Sequence, residues 1–232
     1  MDFRDDGFQL KKDIEEIKKS IGELKNKVNS QEGICNEKWT PEKLIEFEEE
    51  IREIYEAGGI KAPVHFARGN EAQLIEIFKN VKKEDWVFSN HRAHYHALLK
   101  GVRREWLKNE ILDCRSIHIN NNKEKVYTSS IVGGALPVAV GVALGIKLKQ
   151  GTERVWCFVG DMCAEMGAFH EAEKYSRRHN LPITFVVEDN DLSVDTMTQE
   201  VWGKEDFGRT QTIRYKYKRF YPHHGSGKWV TF

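Results

Sequence analysis

Two polar turns close two apolar runs in the second half of the chain. Gly160-Asp161 follows Arg154–Val159 (RVWCFV), and Glu188-Asp189-Asn190 follows Ile183–Val187 (ITFVV). Asp161 and Asn190 offer one carboxylate oxygen and one amide oxygen. That set suits Mg²⁺, which takes oxygen ligands and fills the rest of its octahedron with water and phosphate oxygens. A helix reading over Gly167–His179 follows the first turn and presents free N–H groups to an anion. The chemistry these residues suggest is a Mg²⁺-diphosphate site. Two ordinary turns rich in Gly, Asp and Asn are the competing reading.

Positioning such a pair calls for neighbouring strands. Both runs are apolar throughout and a helix separates them, which predicts a parallel sheet covered by helices on both faces, an α/β fold. In open parallel sheets, ligands bind beyond the carboxyl ends of the strands. Upstream, Thr40-Pro41 gives a capping residue and a first-turn Pro, with Leu44, Phe47, Ile51 and Ile54 on one face. Glu71–Phe78, His94–Gly101 and Arg104–Leu112 read as helices, and Trp86-Val87-Phe88 reads as a short strand. Ile131–Ile146, interrupted by Pro137 and four glycines, reads as a buried helix too short to span a bilayer. Leu10, Ile14, Ile17, Ile21, Leu24 and Val28 form a heptad-like seam among charged residues. The expected division is a charged helical extension over 1–38, an α/β domain over 39–213 and a basic-aromatic tail over 214–232.

Composition excludes several classes. Thirty-six Lys+Arg balance 36 Asp+Glu in 232 residues, so a general electrostatic grip on nucleic acid is not expected. No membrane segment or apolar signal core is apparent. Four cysteines without CxxC spacing suggest free thiols and a reduced, cytoplasmic compartment. Among nine histidines, His91 and His94 stand three apart, which also suits a metal, but spacing nominates no third ligand. His223 and His224 read as structural or exposed.

Gly160–Asn190 (GDMCAEMGAFHEAEKYSRRHNLPITFVVEDN) resembles the thiamine-diphosphate motif that opens GDG and closes NN. Together with HFARGNEA (His65–Ala72), HRAHYHALLKG (His91–Gly101) and SIVGGALPVAVGVALGIKLK (Ser130–Lys149), it is similar to the α subunit of 2-oxo-acid dehydrogenase first components, over about Ile45 to Gln199. The resemblance implies the thiamine-diphosphate-binding fold and roles by position. Asp161, Asn190 and the carbonyl of Leu192 would hold Mg²⁺. His91 and Arg92 would contact the diphosphate, with backbone N–H groups of Met162 and Cys163. Ser130 and Val132 would offer backbone groups to the aminopyrimidine. His65 and His94 would face a 2-oxo acid substrate, and the Ile131–Ile146 helix would lie at a subunit interface. The implied protein is a hetero-oligomer: a β-type partner carries the pyrimidine module and the activating glutamate, and this chain is half a site.

The match departs from the family at named places. Met162 replaces the last Gly of GDG, and Asp189 replaces the first Asn of NN. CRSIH (Cys114–His118) stands for GGSMH, and the likeness fades after about Gln199. A split transketolase-like or carboligating subunit, and a non-catalytic scaffold with a vestigial cofactor site, are the alternative expectations.

Overall fold

The computed structural model describes residues 39–203 and 212–231, together with Lys11 and Glu15. The heptad-like seam lies outside the described residues, apart from those two positions between its apolar residues.

The elements run α1 (Pro41–Glu56), α2 (Glu71–Phe78), β1 (Trp86–Ser89), α3 (His94–Leu99), α4 (Arg104–Leu112), β2 (Val126–Thr128) and α5 (Ala135–Leu148). They continue with β3 (Val155–Gly160), α6 (Asp161–Ala164), α7 (Gly167–Arg178), β4 (Ile183–Asp189), β5 (Leu192–Ser193), β6 (Thr196–Met197), α8 (Thr198–Trp202) and β7 (Thr212–Lys216). Five strands form one sheet in the order β2-β1-β3-β4-β7, and every pairing in it is parallel. β5 and β6 form a small antiparallel hairpin.

Strand alternation divides the core. On β3, Trp156 and Phe158 face one apolar cluster, while Val155, Cys157 and Val159 face the other. On β4, Val186 joins the first cluster, and Ile183, Phe185 and Val187 join the second. The first cluster holds Leu44, Phe47 and Ile51 of α1, Leu74 and Ile77 of α2, and Leu107 of α4. The second holds Ala139 and Ala143 of α5 and Phe169 of α7. Both faces of the parallel sheet are thus covered, as the doubly apolar strands require.

Local signals set the helix ends. Thr40 Oγ1 accepts from Lys43 N–H at 3.4 Å, and Pro41 opens α1. α7 carries Arg177 and Arg178 in its last turn and closes through left-handed Asn180, with Leu181 N–H donating to Ser176 O at 2.9 Å.

Three features correct the sequence reading. The 131–146 stretch is not a buried helix: α5 starts at Ala135, and Ile131, Val132 and Val138 are exposed. It is an outer-layer helix with one side on the sheet and the other open. The Gly160-Asp161 turn does not lead directly into the Gly167 helix, because a short helix, α6, begins at Asp161 itself. β7 spans the expected boundary at 213/214, placing Ile213 and Tyr215 in the core. Among the described residues, no helix is long and apolar enough to cross a membrane.

Asp85 fastens the start of the sheet. Its buried carboxylate accepts from Lys82 N–H at 2.9 Å, Arg154 N–H at 2.8 Å and Trp156 Nε1–H at 3.1 Å. Asp85→Ala strands these donors, and urea denaturation is expected to show a loss of about 3 kcal/mol.

Candidate active site

A cavity of about 340 Å³ opens beyond the carboxyl ends of the sheet. Each of the five parallel strands feeds it: His91 follows β1, Ser130 follows β2, Asp161 follows β3, Asn190 follows β4 and Tyr217 follows β7. Strand order reverses between β1 and β3, and in sheets of this kind the crevice at such a reversal is where ligands bind.

β3 and β4 are adjacent, with Gly160 opposite Glu188, so Asp161 and Asn190 leave neighbouring strand ends. Asp161 is buried, at 2% exposure. Burial pushes its carboxyl pKa up, and the Asp189 charge adds to that, against a hydrogen bond from the Thr198 hydroxyl. No Lys, Arg or His among the described residues makes an ion pair with it. A buried carboxylate in that position is suited to a cation. Asn190 is locked at both ends: Nδ2 donates to Tyr217 Oη at 2.9 Å, and Oδ1 accepts from Leu192 N–H at 3.0 Å. Its oxygen is thereby oriented and keeps a second lone pair. Asp191 adopts a left-handed backbone and its carbonyl accepts from Thr198 N–H at 3.1 Å, which folds the 190–198 turn back toward Asp161. Leu192 lines the cavity on that turn.

Both departures from the motif have a local explanation. Asp189 binds Arg214 Nε at 2.9 Å, so β7 neutralises the extra charge. Met162 lies within α6 at a negative φ, where a side chain is tolerated, and its Sδ faces Trp202 Nε1 at 3.2 Å. Cys163 is buried, and burial raises its thiol pKa to about 11, which disfavours the thiolate.

The tail supplies what sequence reading missed. Tyr217, Arg219 and His223 line the cavity. His65, His91 and His223 converge, with ring centroids 4.3 Å apart for the first pair and 4.9 Å for His65–His223. Arg92 ties their segments together, donating through Nε to Phe66 O at 3.0 Å and through Nη2 to His223 O at 2.9 Å. Gly225 N–H donates to Val64 O at 2.8 Å and pins the tail to the His65 segment. The available signal was the alternation of Ile213, Tyr215 and Tyr217 with basic residues, a half-buried strand pattern.

His94 is a correction. It does not reach the cavity: it is fully buried, with Nδ1 2.9 Å from Glu48 Oε1 and Nε2 2.9 Å from Ser116 Oγ. Ser116, His94 and Glu48 have the order of a nucleophile, base and orienting acid, but all three are buried and none lines the cavity. They brace α3 against α1. Ser130 and Val132 lie on the rim, Ser130 Oγ being 3.3 Å from His118 Nε2 and Val132 being 57% exposed. The cavity is therefore open on the side of the 129–133 segment.

Residues 41–208 match the family model described as dehydrogenase E1 component. The chain belongs to the dehydrogenase E1 component family. It is 32% identical over 165 residues to the α subunit of an acetoin:2,6-dichlorophenolindophenol oxidoreductase of Bacillus subtilis (strain 168), covering 66% of this chain and 50% of that one. It is 31% identical over 180 residues to a chloroplastic pyruvate dehydrogenase E1 component subunit alpha-3 of Arabidopsis thaliana, 68% of this chain and 42% of the other. A pyruvate dehydrogenase E1 component subunit alpha of Rickettsia bellii is 27% identical over 163 residues, 66% and 50%. The E1-family chain thus spans about half the length of the curated relatives it matches.

The histidine cluster makes the stability of this E1-family chain depend on pH. Burial first, then neighbouring His91 and Arg92, pushes His65 down to about 2. Burial and Arg92 push His91 down to about 4, and burial with Arg92 and Arg219 lowers His223. Between these values and the ordinary 6.5, the unfolded chain binds more protons than the folded one, so stability falls as pH drops below about 6.5. Asp85 and Asp161, whose pKa values are raised by burial, act in the opposite direction. His91→Gln is expected to flatten the loss in urea midpoint between about pH 7 and pH 5.

Proposed function

We propose that this chain is the diphosphate-binding, α-type half of a thiamine-diphosphate- and Mg²⁺-dependent enzyme that decarboxylates a small 2-oxo acid. The observation that carries the reading is the buried Asp161 carboxylate, without an ion-pair partner among the described residues, beside the oriented Asn190 amide at adjacent strand ends.

Asp161, Asn190 Oδ1 and the Leu192 carbonyl form an oxygen donor set that fits Mg²⁺. Met162 and Cys163 would offer N–H groups at the start of α6, and His91 would meet the diphosphate. Arg92 spends two donors on carbonyls and keeps its remaining N–H groups for an anion. Ser130 and Val132 would present backbone groups to the aminopyrimidine. Bound thiamine diphosphate would supply the nucleophilic carbon and the electron sink for decarboxylation. His65 is kept neutral in this cavity, so it would accept a hydrogen bond or move a proton without adding a fixed positive charge.

The open rim supports a subunit partner. Ile131 and Val132 are exposed, and a Cβ added at Gly141 or Gly145 of α5 would meet nothing within 4 Å among the described residues. A β-type subunit seated there would bury the apolar rim and close the pyrimidine side, giving a hetero-oligomer. The free thiols of Cys114, Cys157 and Cys163 support a cytoplasmic setting.

Calorimetric titration of thiamine diphosphate with Mg²⁺ present tests the site: Asp161→Ala is expected to weaken binding at least 100-fold, and unchanged affinity overturns the reading. Carbon dioxide release coupled to acyl transfer, as against ketol transfer, separates the dehydrogenase from the transketolase-like alternative. Gly141→Leu is expected to leave the chain folded, with its own denaturation midpoint unchanged or slightly raised because a helix glycine is replaced, while abolishing the partner chain in native mass spectrometry of the complex.

A further inference from the structure

The three histidines of the cavity come from three separate segments. His65 lies on the extended stretch before α2, His91 follows β1, and His223 belongs to the tail beyond β7. One ring nitrogen from each lies within 4.8 Å of the other two. The rings are inclined to one another at 59°, 80° and 67°, tilted for His65–His91 and T-shaped for the other two pairs, so none is stacked. His65 Nδ1 is buried with no hydrogen-bond partner among the described residues. Its lone pair or proton is otherwise uncompensated, which a buried polar atom rarely tolerates.

We propose that His65, His91 and His223 form a three-histidine site for a zinc-type divalent transition metal, with a fourth position open to the cavity. Zinc takes imidazole nitrogens at about 2.0–2.1 Å, which places tetrahedral ligand atoms about 3.4 Å apart. Closing the observed spacing requires side-chain movements of about 1 Å, within the reach of imidazole rotamers. An all-nitrogen donor set selects Zn²⁺, Ni²⁺ or Cu²⁺ over the oxygen-seeking Mg²⁺. The electrostatics set the fourth ligand. Arg92 and Arg219 are the cations around the cluster; Arg92 is bound to two carbonyls, and Arg219 lies 3.6 Å from Asp195. Their field opposes a bare dication and favours one that carries an anionic oxygen, such as hydroxide or a carboxylate. His224, next in sequence, is exposed and stays outside the cluster of converging nitrogens.

The inference does not rest on the cofactor reading. Metal ligation and diphosphate contact are alternative uses of His91, so the experiment is run on cofactor-free protein. The untagged full-length chain, freed of metal with a chelator, is titrated with Zn²⁺ by calorimetry and with Co²⁺ by visible absorption. The expected result is one equivalent of Zn²⁺ bound with micromolar or tighter affinity, and the intense absorption of a low-symmetry Co²⁺ site. His65→Ala and His223→Ala are each expected to weaken Zn²⁺ binding at least tenfold. His170→Ala, on the exposed face of α7, and Asp161→Ala are expected to leave it unchanged. Circular dichroism confirms that each variant is folded, and His65→Gln or His223→Gln stands in should the corresponding Ala variant not be. Absence of Zn²⁺ binding, or binding indifferent to both His65 and His223, overturns the proposal. Loss on Asp161→Ala alone would place the ion at the Mg²⁺ ligands and overturn it as well.

Discussion

Asp161 is a carboxylate held out of water at the end of the central strand pair, where the described residues give it no ion-pair partner. Burial of an ionised carboxylate costs several kcal/mol unless a cation or strong donors compensate it, and the Thr198 hydroxyl, a backbone N–H and the more distant Arg214 charge are partial compensation. The neighbourhood is organised around this deficit. Asp189 would worsen it, and Arg214 on the next strand removes that charge. Asn190 is rotated by Tyr217 so that its oxygen, and not its amino group, is available. The sheet brings the groups together because parallel strands deliver all their carboxyl ends to one side.

The tail after β7 is structural as much as functional. Tyr217 orients Asn190, Arg219 borders the cavity, and His223 enters the histidine cluster. Arg92 has a corresponding double duty. Its bonds to Phe66 O and His223 O hold the β1 turn, the His65 segment and the tail in one arrangement, and they also reduce what it can give an anion. Any change at Arg92 therefore moves the histidines as well as the proposed phosphate contact, so its loss is not a clean measure of either.

Much of the fold was legible because its signals are local. RVWCFV and ITFVV have no polar face, and a strand without a polar face can only sit in a sheet covered on both sides. Asp161 and Asn190 were legible because they follow such strands directly. What escaped did so for physical reasons. β2 is three residues long and too short to show a period, and β7 is an edge strand whose outward positions are basic, so its alternation was hidden inside a charged run. The role of His94 came from the family resemblance alone; here His91 precedes the helix and His94 begins it, pointing into the core toward Glu48. His223 had no sequence neighbour to mark it, since its partners lie more than a hundred residues away.

The open side of the cavity follows from the composition of α5. Ala135, Leu136, Ala139, Ala143 and Ile146 bury one face against the sheet, where small residues let the helix lie close. The remaining face carries Gly141 and Gly145 with no side chain to cover the backbone, and exposed Val138 between them and the rim. Glycine in a helix costs about 1 kcal/mol relative to alanine, and among the described residues nothing lies within 4 Å of a Cβ added at either position to require it. On the proposed reading, another subunit approaches closely along this stripe, and the same approach covers Ile131 and Val132 at the cavity mouth. The helix that anchors one face of the sheet would then also set how the half-site is completed.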